Sequence, residues 1–193
     1  MRTLRIAPAL AADTWHAGHD PAGRVRVELD GPGRDVRVTL ADGWRSVLRP
    51  EELGEAVVTA HSDAVVARMT AWALESALPA PAPYEEPGAE QLATVQEAHR
   101  ELAVFRRRLA ELRAVPVTVE VAGAVQVTVR DGCPSGARVT RSDIEDVELA
   151  SALSAGLRAA LAVVAEQPAT ALARCPALRA VLGTSRLPLP FEL

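Results

Sequence analysis

The sequence predicts an α+β protein made of two tandem units, each combining a three-stranded antiparallel meander with long helices. Three observations predict it. Valine-rich stretches of alternating polarity come in pairs around glycine turns, at 25–29 with 36–40 and at 117–121 with 125–129. Apolar residues recur at threes and fours after residue 50, after residue 90 and after residue 145. Period two marks a half-buried strand, and spacing of three and four marks an amphipathic helix. Finally, the helix–strands–helix order of 91–165 is echoed upstream from Arg24 to Ser76, without the leading helix.

Composition sets the bounds. The chain has 193 residues, enough for one good core or two small ones. Aromatics are only 3%, so the core must come from Val, Leu and Ala. Lys and Asn are absent, and all 21 basic side chains are Arg, a usage that fits a high-GC bacterial genome rather than selection for phosphate contacts. The net charge of −4 argues against broad, unspecific nucleic-acid binding but leaves room for a local basic patch. No window approaches the roughly 18 uninterrupted apolar residues of a membrane span, so no membrane partner is expected. The opening stretch fails as a signal peptide because Pro8 breaks a short apolar run. Cys133 and Cys175 each precede a Pro and have no ligand-spaced neighbour, which predicts free thiols in a reducing cytoplasm.

Residues 1–22 read as an N-terminal arm. Leu4, Ile6 and Leu10 suit a short edge strand or a docking segment, and His16 and His19 fall in a loop-like WHAGHD with no third metal ligand nearby. The first unit spans 23–78 as β-β-β-α. Its strands are Val25 to Leu29, Val36 to Leu40 and a third around Trp44, Val47 and Leu48, joined by Asp30-Gly31-Pro32-Gly33 and Asp42-Gly43 turns. Arg24, Arg26, Arg37 and Arg45 would share the exposed face. Pro50-Glu51-Glu52 starts the helix, with acids at the positive end of its dipole. Leu53, Val57, Ala60 and Ala64 form its stripe, widened by Val58, Val65, Met69 and Trp72; His61 lies close to it as a core or boundary residue.

Residues 79–89 form a Pro/Ala linker of extended, stiff character. The second unit, 90–167, is α-β-β-β-α. Its leading helix carries a heptad-like seam of Leu92, Val95, His99, Leu102, Phe105, Leu109 and Leu112. Arg106, Arg107 and Arg108, with Arg113, are the densest positive patch: a solvated face paired with Glu101 and Glu111, or a phosphate contact. Strands Val117 to Val121, Val125 to Val129 and Ala137 to Thr140 follow. Ser142 or Asp143 caps a helix with Leu149, Leu153, Leu157, Leu161 and Val164 as its stripe, stopped at Gln167-Pro168. Residues 168–193 hold one short helix, Ala169 to Leu182, and the Pro-rich LPLPFEL tail, suited to disorder or to clipping onto a groove.

The halves can be overlaid. Glu52-Leu53 falls on Glu148-Leu149, and with no gap Ala56, Val57, His61, Ala64 and Val65 fall on Ala152, Leu153, Leu157, Ala160 and Leu161. Upstream, the strands at 25–29 and 36–40 are matched to those at 117–121 and 125–129. A three-stranded sheet with one helix is too small to stand comfortably alone. Two such units would therefore share a core as an intramolecular pseudo-dimer.

This texture resembles the YbaB/EbfC family of nucleoid-associated proteins. The matching parts are QLATVQEAHRELAVFRRRLAELR, the hairpin VTVEVAGAVQVTV and DIEDVELASALSAGLRAAL in the second half, and VRVELDGPGRDVRVTLADGWRSVLRPEELGEAVVTAHSDA in the first. Together they cover about three quarters of the chain. The resemblance implies a small, non-enzymatic cytoplasmic or nucleoid protein without cofactors, which dimerises and binds double-stranded DNA with little sequence preference. Arg106, Arg107, Arg108 and Arg113 would be one set of phosphate contacts, and Arg24, Arg26, Arg37 and Arg45 a second. Two departures stand out: this chain holds two units, the first without its leading helix, and the Met- and Gln-rich character often seen in the family's leading helix is mostly missing. The alternative is a protein–protein interaction or scaffold module that keeps the fold without DNA binding, through a protein partner or self-association. No Gly-rich phosphate loop, ligand-spaced Cys/His/Asp set or nucleophile motif points to an enzyme.

Overall fold

The computed structural model describes residues 13–75, 88–141 and 143–184. The chain is mixed helix and sheet, with two three-stranded antiparallel sheets. The expected arm residues Leu4, Ile6 and Leu10, most of the linker, Ser142 and the Pro-rich tail lie outside the described residues.

The first sheet contains β1 (Trp15–His19), β2 (Val25–Asp30) and β3 (Val36–Leu40), in that order. Its third strand is therefore upstream of the hairpin. Trp44, Val47 and Leu48, expected as a strand, instead form a 3-10 turn at Trp44–Ser46 and its exit, with Trp44 fully buried. WHAGHD, expected as a solvated loop, is β1 and its turn. His16 and Gly18 face inward, and His16 is buried. A histidine and a glycine on the apolar side hide the alternation that would reveal a strand. Gly18 has a packing reason: a Cβ there would collide with the backbone of Ala60 and Ala64. The Asp20 carboxylate accepts from the N–H groups of Ala22, Arg24 and Val25 and so shapes the following turn.

After the 3-10 turn, α1 (Leu53–Glu75) begins. The Glu52 side chain accepts from the Arg49 N–H at 2.9 Å and from its guanidinium. That hydrogen bonding holds the Glu52 carboxyl below the usual carboxylate range and raises Arg49. The second unit opens with α2 (Ala89–Ala114), where Gln91 accepts from the Gly88 N–H at 3.1 Å. Then come β4 (Val117–Val121), β5 (Val125–Arg130) and β6 (Cys133–Val139), paired in sequence order. β6 starts earlier than expected and takes a register shift between Thr128 and Val129. The closing helix α3 (Asp146–Ala165) also starts later than expected, with Glu145 as N-cap. Beyond it, two helices replace the single one expected: α4 (Gln167–Leu172), with Pro in its first turn, and α5 (Pro176–Thr184).

One core joins the two units. α1 packs on β1 and β2 and reaches across to β6; α3 packs on β4 and β5 and reaches across to β3. Val25, Val27, Val125, Val127, Leu53, Val57, Leu149, Leu153 and Leu157 are all 0% exposed within one continuous cluster. A Cβ on Gly54 would strike the Ala137 carbonyl, so α1 lies directly against β6. On the other side the Ser154 hydroxyl, donating to Ala150 O at 2.7 Å, accepts from the Val38 N–H at 2.8 Å. Arg158 reaches Asp35 Oδ1 at 2.6 Å and Val36 O at 3.3 Å.

Most of the matched helix positions agree in burial, Val65 being half-buried where Leu161 is buried. Leu53, Ala56, Val57, Ala60, His61 and Ala64 are buried, as are Leu149, Ala152, Leu153, Gly156, Leu157 and Ala160. The strand overlay needs moving by one strand. Val25, Val27 and Leu29 lie on the middle strand of their sheet, and so correspond to Val125, Val127 and Val129, not to Val117, Val119 and Val121.

The heptad-like seam of α2 is only half covered. α4 and α5 run along it around Ala98, Leu102, Phe105, Cys175 and Leu178. Glu101 accepts from the Leu178 N–H at 2.8 Å, so it fastens α5 rather than pairing with the Arg run. Leu92 and Val95 remain exposed, as does His99. The stretch Asp146–Leu172 is long and apolar enough to cross a bilayer by composition, but its stripe is the core of the fold. Both cysteines are free, Cys133 exposed and Cys175 buried.

Candidate functional site

The candidate phosphate contacts do not converge. In the first set, Arg26 is paired with Glu28 at 2.7 Å. Arg37 lies opposite Glu28 across the β2–β3 ladder and stacks on the Trp15 ring at 3.8 Å. Arg24 is half-buried, with its Nε enclosed. Arg45 leaves the sheet face entirely, because the 3-10 turn carries it to the other unit. There it bonds Asp146 Oδ1 at 3.0 Å and Ile144 O at 2.8 Å. Three of the four therefore sit on or beside one sheet face, largely engaged, and the fourth bridges the units.

The second set splits as well. Arg113 is half-buried beside the β5–β6 turn, its guanidinium 3.7–3.8 Å from where a Cβ on Gly132 would lie. Arg108 is half-buried and lines an open groove of about 510 Å³ with Glu111, Leu112, Val117, Glu166 and Gln167. Arg106 and Arg107 are exposed and have no ion pair among the described residues. They are the freest cations of the eight.

His61 is buried; desolvation, aided by the positive charge of Arg68, lowers its pKa to about 4. Asp63 accepts from the His19 N–H at 3.0 Å. Among the described residues, no group of three His, Cys, Asp or Glu side chains could hold a metal. A second groove, of about 320 Å³, lies between the β2–β3 turn and the end of α3, lined by Arg34, Leu161 and Glu166.

Sequence reasoning missed the exposed apolar surface. Met69 and Trp72 were expected to widen the buried face of α1, yet Val66, Met69 and Trp72 are 61%, 54% and 43% exposed, with Leu74 at 81%. Lengths alone carried the signal. At 1.5 Å per residue a helix of 23 residues is about 35 Å long, whereas strands of five or six residues reach only about 20 Å. α1 starts against β6, and Arg68 still meets the β2–β3 turn, which leaves only the last residues of the helix, with Met69, Trp72 and Leu74, beyond that turn. Comparison with known proteins gives no family model, no curated protein and no solved structure that matches this chain.

Proposed function

We propose that this chain is a non-enzymatic protein-interaction module, built from two related units fused into an intramolecular pseudo-dimer. The reciprocal packing of α1 on β6 and α3 on β3, and the shared burial pattern of the two helices, support the fusion. The observation that carries the interaction reading is the second half of α1, where Val66, Met69 and Trp72 form an exposed apolar stripe at spacings of three. Exposed apolar patches of this kind mark partner surfaces. The dispersal of the arginines and the net charge of −4 weigh against a phosphate-binding face.

A photo-crosslinking side chain placed at Trp72 in the full chain, expressed in its own host, tests this. The expected result is a discrete protein adduct at that position and none at Arg107. Absence of an adduct at Trp72 would overturn the reading.

A second reading, non-specific duplex DNA binding in a nucleoid-associated role, is kept by Arg106 and Arg107, which are exposed and unpaired among the described residues. It requires salt-sensitive binding of a random-sequence duplex that Arg106→Ala/Arg107→Ala/Arg108→Ala weakens. No binding at low salt removes it.

A further inference from the structure

The two sheets have four outer edges, and at three of them a helix residue meets the edge strand. The β3 edge is bonded by Ser154 and Arg158 from α3. The β6 edge lies against α1 at Gly54. On β1, the His19 N–H is held by Asp63 of α1. β4 is different. It is the terminal strand of its sheet, and among the described residues its outer edge has no hydrogen-bond partner. Its inward valines, Val117, Val119 and Val121, are only half-buried, whereas their neighbours on β5 are at most 1% exposed. β4 itself contains no Pro, no Lys and no bulge, and Glu120 is its one charged side chain.

The strand is self-complementary. Its sequence, Val117-Thr118-Val119-Glu120-Val121, reads nearly the same in both directions about Val119. Antiparallel pairing of two copies about a twofold axis at Val119 would set Val117 against Val121 and Thr118 against Glu120 of the second copy. No like charges face each other in that register. A one-residue slip would put valine on the outer face, which excludes that register, and the register centred on Val119 pairs all five residues.

We infer that β4 is a self-pairing edge and that its occupant is β4 of a second copy of this chain. Two three-stranded sheets then become one continuous six-stranded sheet across an isologous interface. The inference goes beyond the interaction reading, because it concerns the edge of β4 and not the exposed stripe of α1.

Sedimentation of the full chain over a concentration series tests this, with two substitutions that the register treats oppositely. Thr118→Glu places like charges opposite each other twice across the axis, and should raise the dimer dissociation constant by about tenfold. Thr118→Arg places opposite charges there and should lower it several-fold. Slower amide exchange in β4 at high concentration is the accompanying signature. A chain that stays monomeric throughout, Thr118→Arg included, overturns the inference, as does a dimer that neither substitution moves. If Thr118→Glu fails to fold, the tightening by Thr118→Arg still decides. A monomer that gives the protein adduct at Trp72 removes only the self-pairing; loss of that adduct removes the wider reading.

Discussion

At the core position where α3 carries Leu157, α1 carries His61, 6% exposed. Burial, with Arg68 nearby, holds its pKa down at about 4. The folded chain therefore keeps the imidazole neutral, while the unfolded chain begins to take a proton near pH 6.5. A group whose folded pKa is depressed contributes its full stability above the unfolded value. That contribution falls away as pH drops from about 6.5 to about 4, by about 3 kcal/mol in all. Carboxylates titrate in the lower part of the same window, so the useful quantity is a difference. His61→Leu, which copies the residue at the matched position, should flatten the stability curve between pH 7 and 4.5 relative to wild type. Denaturant titrations at several pH values measure it, and parallel curves would show that the imidazole is hydrated or paired. The apolar side of α1 was legible at His61 because the overlay with Leu157 put it there. At Trp44 it was not: a buried tryptophan in a 3-10 turn has the same local sequence signature as one in a strand.

Strand edges decide the organisation at the element scale. The Ser154 hydroxyl accepts from Val38 N–H on an edge that would otherwise meet apolar helix surface. A part-buried donor left without an acceptor costs on the order of 1–2 kcal/mol. Ser154→Ala should therefore destabilise the fold by about that amount. Arg158→Ala should cost less, under about 1 kcal/mol, because both Arg158 and Asp35 are about half exposed. Chemical denaturation of the two variants gives the comparison, and equal costs would mean that the hydroxyl is not sealing the edge. Neither contact could be read from sequence, since Ser154 sits at an ordinary helical position and its partner is 116 residues away. Strands with clean alternation, β2, β3, β4 and β5, were legible from residue types alone. β1 was not, because its inward residues are His16 and Gly18, and the glycine is there to let α1 approach.

For the whole molecule, the consequence of cross-packing is mutual dependence. α1 completes its burial on β6 and α3 on β3, so neither unit encloses its own core. Three bridges reinforce this across the units: Arg45 with Asp146, Arg158 with Asp35, and Ser154 with Val38. The two ion pairs are each worth little alone at the surface. The shared apolar cluster is worth far more, at about 25 cal/mol for each Å² of apolar surface taken from water. Covalent continuity between the units should therefore matter much less than their contact. A protease site inserted between residues 79 and 87, cleaved after folding, should leave two fragments that migrate as one particle. Their unfolding should remain a single transition that now depends on concentration, because cleavage turns an intramolecular association into a bimolecular one. Size exclusion and thermal melts of the cleaved protein measure both. Fragments that separate and melt independently would mean that each unit closes its own core, and would remove the physical basis for treating the pair as one body.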